Sequence, residues 1–140
     1  MVAPSPCYRR PMGEGLATRC VGFVGGGNMA EALVRGLLEA GATNTVQVRV
    51  AEPAASRRDH LMQQYGIETT ADNAVLASWA DVVVLAVKPK NVAAALVGVA
   101  EGLGPDGLVI SIAAGVPTTR IEGLLADGTR VVRALSLIHI

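Results

Sequence analysis

Residues 20–30 read CVGFVGGGNMA, a short apolar run that passes through three glycines into a segment with helical periodicity. The run predicts a buried strand, and the apolar spacing over 28–40 predicts a helix. The string at 25–30 has the form G-x-G-x-x-A between these two elements. Strand, glycine turn and helix in this order predict the first βαβ unit of a parallel sheet.

The glycine turn predicts a site for the diphosphate of a dinucleotide. Gly25 permits a tight turn out of the strand, and Gly27 lets the backbone approach a ligand closely. Ala30 is small enough for the helix to pack against the strand. With Gly26, Asn28 and Met29, these residues expose backbone N–H groups at a helix N-terminus, where anions bind.

An acidic residue follows at the spacing expected of a dinucleotide-binding unit. Glu52 ends the next predicted strand, about 20 residues beyond the glycine turn, where a carboxylate accepts hydrogen bonds from the adenosine ribose. A 2′-phosphate would be repelled there unless Arg57 or Arg58 neutralised it. The alternative for this arginine pair is a solvated helix face. The sequence therefore leaves the cofactor open as NADP or NAD.

Strand and helix patterns alternate through the rest of the chain. The run at 81–87 is apolar throughout, which indicates a strand covered on both faces. We therefore predict an α/β fold with a doubly wound parallel sheet, a Rossmann-type dinucleotide-binding domain over 19–134. The further strands are predicted at 46–50, 67–70, 108–113 and 130–134, and the further helices at 54–65, from 72, at 91–101 and at 117–125.

Composition excludes several other classes of protein. Twelve basic residues balance twelve acidic ones and aromatics are only 3%, which argues against nucleic-acid binding. No apolar run approaches the ~20 residues of a membrane span. Two cysteines are too few for a disulfide framework, and two histidines do not make a metal site. Asp81, at the start of a strand, is not expected to be a catalytic acid. We expect a cytoplasmic protein that binds neither membrane nor nucleic acid.

The two ends differ from the rest of the chain. Residues 1–18 hold arginines and prolines without the apolar core of a signal peptide, and predict a disordered leader or an early start codon. Residues 135–140 read LSLIHI, which resembles the translation of a sequencing-library transposon adapter. We treat that tail as non-native and give His139 no function; a true terminal strand is the alternative.

Three stretches together resemble the pyrroline-5-carboxylate reductases. They are VGFVGGGNMAEAL at 21–33, ADVVVLAVKP at 80–89 and ISIAAGV at 110–116. The resemblance implies an NAD(P)H-dependent reduction of the C=N bond of 1-pyrroline-5-carboxylate, the last step of proline biosynthesis. No catalytic side chain is expected, because the cofactor carries the chemistry.

The resemblance also implies contacts with the cofactor. Asn28 and Met29 would help to hold the diphosphate, and Asn73 would contact the adenosine side. The ribose and nicotinamide would be bordered by Ala86, Val87, Lys88, Pro89, Ala113, Ala114 and Gly115. The residues themselves allow simpler roles. Lys88 could be a solvated residue at a strand end, Asn73 a helix N-cap, and the Ala-Ala-Gly segment a plain strand-to-helix turn.

The family pattern is not followed beyond residue 134. The resemblance implies a helical C-terminal domain there, which builds the homo-oligomer and much of the substrate site. We expect that domain to be missing and the chain alone to be inactive. Two alternatives remain: the first domain of an imine, hydroxy-acid or prephenate-type dehydrogenase, and a non-catalytic dinucleotide-binding module.

Overall fold

A computed structural model describes residues 19–113, 115–125 and 128–134 of the chain. The predicted leader and tail lie outside these ranges and stay predictions. The strands are β1 (Val21–Val24), β2 (Val48–Ala51), β3 (Glu68–Thr70), β4 (Val82–Leu85), β5 (Leu108–Ser111) and β6 (Arg130–Arg133). The helices are α1 (Asn28–Glu39), α2 (Ala55–Tyr65), α3 (Asn73–Trp79), α4 (Val92–Gly102) and α5 (Thr118–Gly123).

The strands form one parallel six-stranded sheet in the order β3-β2-β1-β4-β5-β6. The first three strands progress toward one edge and the last three toward the other. The order therefore reverses between β1 and β4, the point where doubly wound sheets open a crevice for ligands. The predicted fold class is confirmed.

The sheet is covered on both faces, as its continuous apolar strands require. One face packs against α1 and α2 in a core that includes Phe23, Val34 and Leu61. The other face packs against α3, α4 and α5, with Leu76 and Ile121 among its buried residues. Small aliphatic side chains fill both cores, which lets the helices lie close to the sheet.

The predicted boundary of β2 is wrong at its start. The alternation of valines suggested a strand from residue 46, but Thr45–Gln47 is a 3-10 turn in which the Asn44 side chain accepts a hydrogen bond from Val46 N. Val46 is 60% exposed. The local hydrogen bond of the asparagine offers this backbone an alternative to the sheet, so the strand begins at Val48.

Glycines allow several elements to approach closely. A Cβ on Gly22 of β1 would lie 2.9 Å from Leu76 of α3, and one on Gly102 of α4 would lie 2.2 Å from the carbonyl oxygen of Ala74. Contact between the α3 and α4 backbones thus requires glycine at 102. Gly36, on the exposed side of α1, has no atom near its Cβ position.

Within the part of the chain that the structure describes, every helix is too short or too polar to cross a membrane.

Substitutions at two helical glycines are expected to change stability in opposite directions. Gly102→Ala forces the backbones of α3 and α4 apart and should lower the free energy of unfolding by about 1–3 kcal/mol. Gly36→Ala fills open space in a helix interior and should raise it by about 0.5–1 kcal/mol. Urea denaturation of both variants measures the difference. Equal effects would contradict the proposed helix contact.

Candidate functional site

A cleft of about 590 Å³ opens at the carboxyl ends of β1, β2 and β4. Its volume lies within the range of small-molecule sites, about 300–1,000 Å³. Eight of the residues predicted from the sequence to contact a cofactor line it together: Gly25, Gly26, Gly27, Glu52, Asn73, Ala86, Val87 and Lys88. The topology therefore gathers, in one place, residues from four separate parts of the chain.

The turn out of β1 depends on glycine at position 25. Gly25 has a φ of +101°, which L side chains rarely adopt, and its N–H donates to Ala51 O at 2.8 Å. A Cβ there would lie 2.9 Å from the carbonyl oxygen of Ala86, on the neighbouring strand end. The turn is thus wedged between the ends of β2 and β4, and any side chain would push it out.

The start of α1 carries unused hydrogen-bond donors beside the cleft, whose lining includes Gly27 but not the predicted contacts Asn28, Met29 and Ala30. The first helical hydrogen bond runs from Glu31 N to Gly27 O, and the four preceding N–H groups, 27–30, find no acceptor among the described residues. Gly27 is exposed and has open space around its Cβ position. Ala30 is 1% exposed, packed under the helix against the sheet. These free donors at a helix N-terminus suit an anionic group.

Glu52 follows β2 and bonds back to the glycine turn. Its Oε1 accepts a hydrogen bond from Gly26 N at 2.9 Å, and its Oε2 accepts one from Ala54 N at 2.9 Å. The carboxylate therefore fixes the N–H of Gly26 and begins the turn into α2. The sequence had suggested ribose contact alone for this residue, and did not reveal its hold on the glycine turn.

Arg57 holds the same glycine from the other side. Its Nε donates to Gly26 O and its guanidinium pairs with the carboxylate of Glu31. Arg57 is half-buried beneath the turn and does not line the cleft. Gly26 is thus bonded through both its N–H and its carbonyl, by two side chains from the segment after β2.

Glu31, one turn into α1, collects hydrogen bonds from α2. Tyr65 donates to it at 2.6 Å, and the His60 ring lies 3.2 Å from both carboxylate oxygens. These bonds, that of Tyr65 first, and the Arg57 guanidinium lower the pKa of Glu31 from 4.5 to about 2. The same contact raises the pKa of Tyr65. The carboxylate therefore ties α1 to α2.

The connection after β4 forms the opposite lip of the cleft. Ala86 N donates to Val24 O at 2.8 Å, which places this connection against the end of β1. Lys90 and Asn91 line the cleft beside Lys88, and the sequence analysis missed both. Their position two and three residues after a predicted cleft residue was the available signal. Pro89 begins a 3-10 turn, Pro89–Asn91, and lies outside the lining.

Asn73 is available to a ligand because its neighbour caps the helix. The Asp72 carboxylate accepts hydrogen bonds from Ala74 N and Val75 N and thus caps α3. The alternative role suggested for Asn73, that of the helix N-cap, is therefore wrong. A Cβ on Gly98 of α4 would lie 2.8 Å from the Asn73 Cβ. Close packing of α4 therefore sets the position of Asn73 at the cleft.

The segment after β5 is placed differently from the other predicted contacts. Ala113 is 3% exposed and packs in the core with α3 and α4, and it does not line the cleft. Gly115 is exposed with a φ of +75°. Ala114 lies outside the described residues, so the predicted contacts of this turn stay a prediction.

Asp81 lies at the other end of the sheet from the cleft. Its Oδ2 accepts a hydrogen bond from Cys20 N at 3.0 Å, which joins the starts of β1 and β4. The carboxylate therefore aligns these two strands.

A parallel sheet in this order, with an open glycine turn at the point of reversal, defines the class of dinucleotide-binding Rossmann domains. The chain belongs to the oxidoreductase family described as NADP oxidoreductase, coenzyme F420-dependent, whose model matches residues 12–115. That description agrees with the predicted cofactor class, NADP or NAD.

Individual relatives are pyrroline-5-carboxylate reductases. One from Methanosarcina acetivorans is 36% identical over 115 residues, which cover 82% of this chain and 43% of the relative. The solved structure of a pyrroline-5-carboxylate reductase from Coxiella burnetii has a TM-score of 0.75 at 38% identity. The matched region covers 83% of this chain and 43% of the reductase chain. The resemblance predicted from the sequence is confirmed, and the chain spans less than half the length of these relatives.

A more distant solved structure shares the fold alone. Prephenate dehydrogenase from Aquifex aeolicus has a TM-score of 0.72 at 19% identity. The matched region covers 82% of this chain and 41% of the dehydrogenase chain.

The hydrogen bonds to Glu31 predict a pH-dependent contribution to stability. Its folded pKa of about 2 lies below the ordinary 4.5, so the contribution is complete above pH 4.5 and is lost as the pH falls toward 2. Glu31→Gln should lower the free energy of unfolding by about 1–2 kcal/mol at pH 7. Urea titrations at several pH values should show this difference shrinking below pH 4.5. Glu39→Gln, at the exposed end of α1, is the control and should show a much smaller difference.

Proposed function

We propose that this chain is the dinucleotide-binding part of a pyrroline-5-carboxylate reductase. In this proposal the bound dinucleotide would supply a hydride to the C=N carbon of 1-pyrroline-5-carboxylate. With a proton taken up at the ring nitrogen, the product would be proline. The observation that carries it is the cleft lined by an open glycine turn, in a chain whose relatives are such reductases. A cytoplasmic location and a homo-oligomeric parent enzyme belong to the same proposal.

The residues of the cleft fit a dinucleotide. The unpartnered N–H groups of 27–30 would bind the diphosphate, and the absence of a side chain at Gly27 leaves room for it. Glu52 and Asn73 lie on the side where the adenosine would bind. Lys88 and Lys90 add positive charge on the opposite lip. Of the residues predicted to bind the cofactor, Arg57 would act indirectly, through Gly26.

The bound cofactor supplies the hydride, so the protein chiefly has to bind and orient. Ala86 and Val87 line the cleft and would border the cofactor. The glycine turn, which also lines the cleft, would limit how deeply the cofactor enters. None of the described residues is assigned a catalytic role. The part of the site that holds the imine and its carboxylate is expected from the segment that the reductases have beyond the length matched here.

Two alternatives give different expectations. A prephenate-type dehydrogenase shares the fold, and a non-catalytic module would bind the dinucleotide without any substrate. The genomic sequence that follows codon 134 separates them. A continuation resembling the reductases supports the proposal, whereas one resembling prephenate dehydrogenases, or an unrelated domain, contradicts it.

A single substitution tests the assigned loop. Gly27→Val should abolish binding of NADH and NADPH, because the side chain would occupy the space left for the diphosphate. Since no protein atom lies near that Cβ, the fold should be retained. Fluorescence titration measures binding, and circular dichroism measures folding.

Gly36→Val is the matched control for this test. It makes the same change on the exposed face of the same helix, outside the cleft, and should bind both dinucleotides as the unmodified chain does. Equal affinity in the Gly27 variant and the unmodified chain would refute the assigned loop.

A further inference from the structure

The cleft carries a carboxylate whose position is fixed. Both oxygens of Glu52 accept backbone N–H groups at 2.9 Å, one from the glycine turn and one from the turn into α2. Such a side chain cannot swing away without releasing two hydrogen bonds, and it lines the cleft at the end of β2. A carboxylate at this place accepts ribose hydroxyls and repels a phosphate ester on the same ribose.

The first arginine that could offset this charge is already engaged. Arg57 bonds to Gly26 O and pairs with Glu31, whose carboxylate is also bonded by Tyr65 and His60. To reach a phosphate in the cleft, Arg57 would have to leave both partners. Doing so would also free the glycine turn that holds the diphosphate.

The second arginine is engaged with the backbone. Arg58 donates through one guanidinium nitrogen to the carbonyl oxygens of Glu52 and Pro53, at 2.7 and 2.9 Å. These bonds hold the guanidinium against the turn between β2 and α2. Like Arg57, Arg58 does not line the cleft.

The cations that do line the cleft belong to its other lip. Lys88 and Lys90 follow β4, which is separated from β2 by β1. Two strand spacings amount to about 10 Å, so these lysines arise near the diphosphate side rather than beside Glu52. The adenosine side therefore has a fixed negative charge without a lining cation next to it among the described residues.

We propose that Glu52 makes this site prefer the dinucleotide without a 2′-phosphate, NAD(H), and that Arg57 is a positioning residue for the glycine turn. The inference rests on the proposed function. It differs from the family description, which refers to NADP. A fixed carboxylate on the ribose side discriminates by repulsion, a common way to exclude a near-identical ligand.

Titration of the chain with NADH and with NADPH tests the preference. NADH should bind at least about tenfold more tightly, because juxtaposed like charges are strongly unfavourable. In Glu52→Gln the ratio of the two dissociation constants should fall toward one. The ratio is the informative quantity, since the loss of one hydrogen bond to the turn weakens both ligands alike.

Arginine variants test the positioning role. Arg57→Gln should weaken NADH and NADPH by the same factor while circular dichroism shows a folded chain, and Glu31→Gln should act in the same direction. Arg58→Gln is the matched control: Arg58 makes no bond to the glycine turn, so this variant should leave both affinities as they are in the unmodified chain. A merely structural role would alter the folded fraction and leave the affinity of the folded chain as it was.

Several outcomes would overturn the inference. NADPH binding as tightly as NADH would do so, and so would a selective loss of NADPH affinity in Arg57→Gln or Lys90→Gln. In either case binding itself would still support the proposed function. If neither dinucleotide bound the folded chain, the proposed function would fail and the inference with it.

Discussion

The site depends on the hold of two side chains on Gly26. Glu52 accepts a hydrogen bond from its N–H and Arg57 donates one to its carbonyl, so the peptide groups before and after this residue are both held. The neighbouring Gly25, in its left-handed conformation, fits between two strand ends. Ordering a loop of three glycines costs much conformational entropy, and these hydrogen bonds offset that cost. These bonds allow a flexible sequence to present a fixed row of donors.

This hold links the cleft to the packing of the domain. Arg57 is oriented by Glu31 on α1, and Glu31 is bonded by His60 and Tyr65 of α2. The two helices on one face of the sheet thus meet at a carboxylate that also orients the turn. On the other face, the packing of α4 against α3 sets the position of Asn73. Each side of the cleft is therefore supported by a different helix layer.

The sequence predicted the fold well because the relevant signals are local. Uninterrupted apolar strands, glycine stops and the G-x-G-x-x-A turn all predict the same doubly wound α/β fold. The order of the strands within the sheet comes from the structure and was not predicted. The start of β2 was wrong because the side chain of Asn44 competes for the backbone, a choice that valine periodicity does not reveal.

The site was predicted less completely because its contacts are not local. The spacing of Glu52 indicated a ribose ligand but not its bonds to Gly26 and Ala54. Arg57 was predicted to neutralise a 2′-phosphate or to lie on a solvated helix face. Neither interpretation revealed its pairing with Glu31, which joins residues from two helices. Lys90 and Asn91 carry no motif of their own and enter the cleft only through the path of the chain after β4.

The contact between Gly98 and Asn73 has a practical consequence for redesign of this domain. Helix α4 carries two glycines among alanines and valines, an obvious target for libraries that replace helical glycine with alanine to raise heat resistance. At position 98 such a swap would press on Asn73 and reshape the pocket wall from behind. Selection for heat resistance alone would therefore change the shape of the cleft at Asn73, although Gly98 itself does not line the cleft.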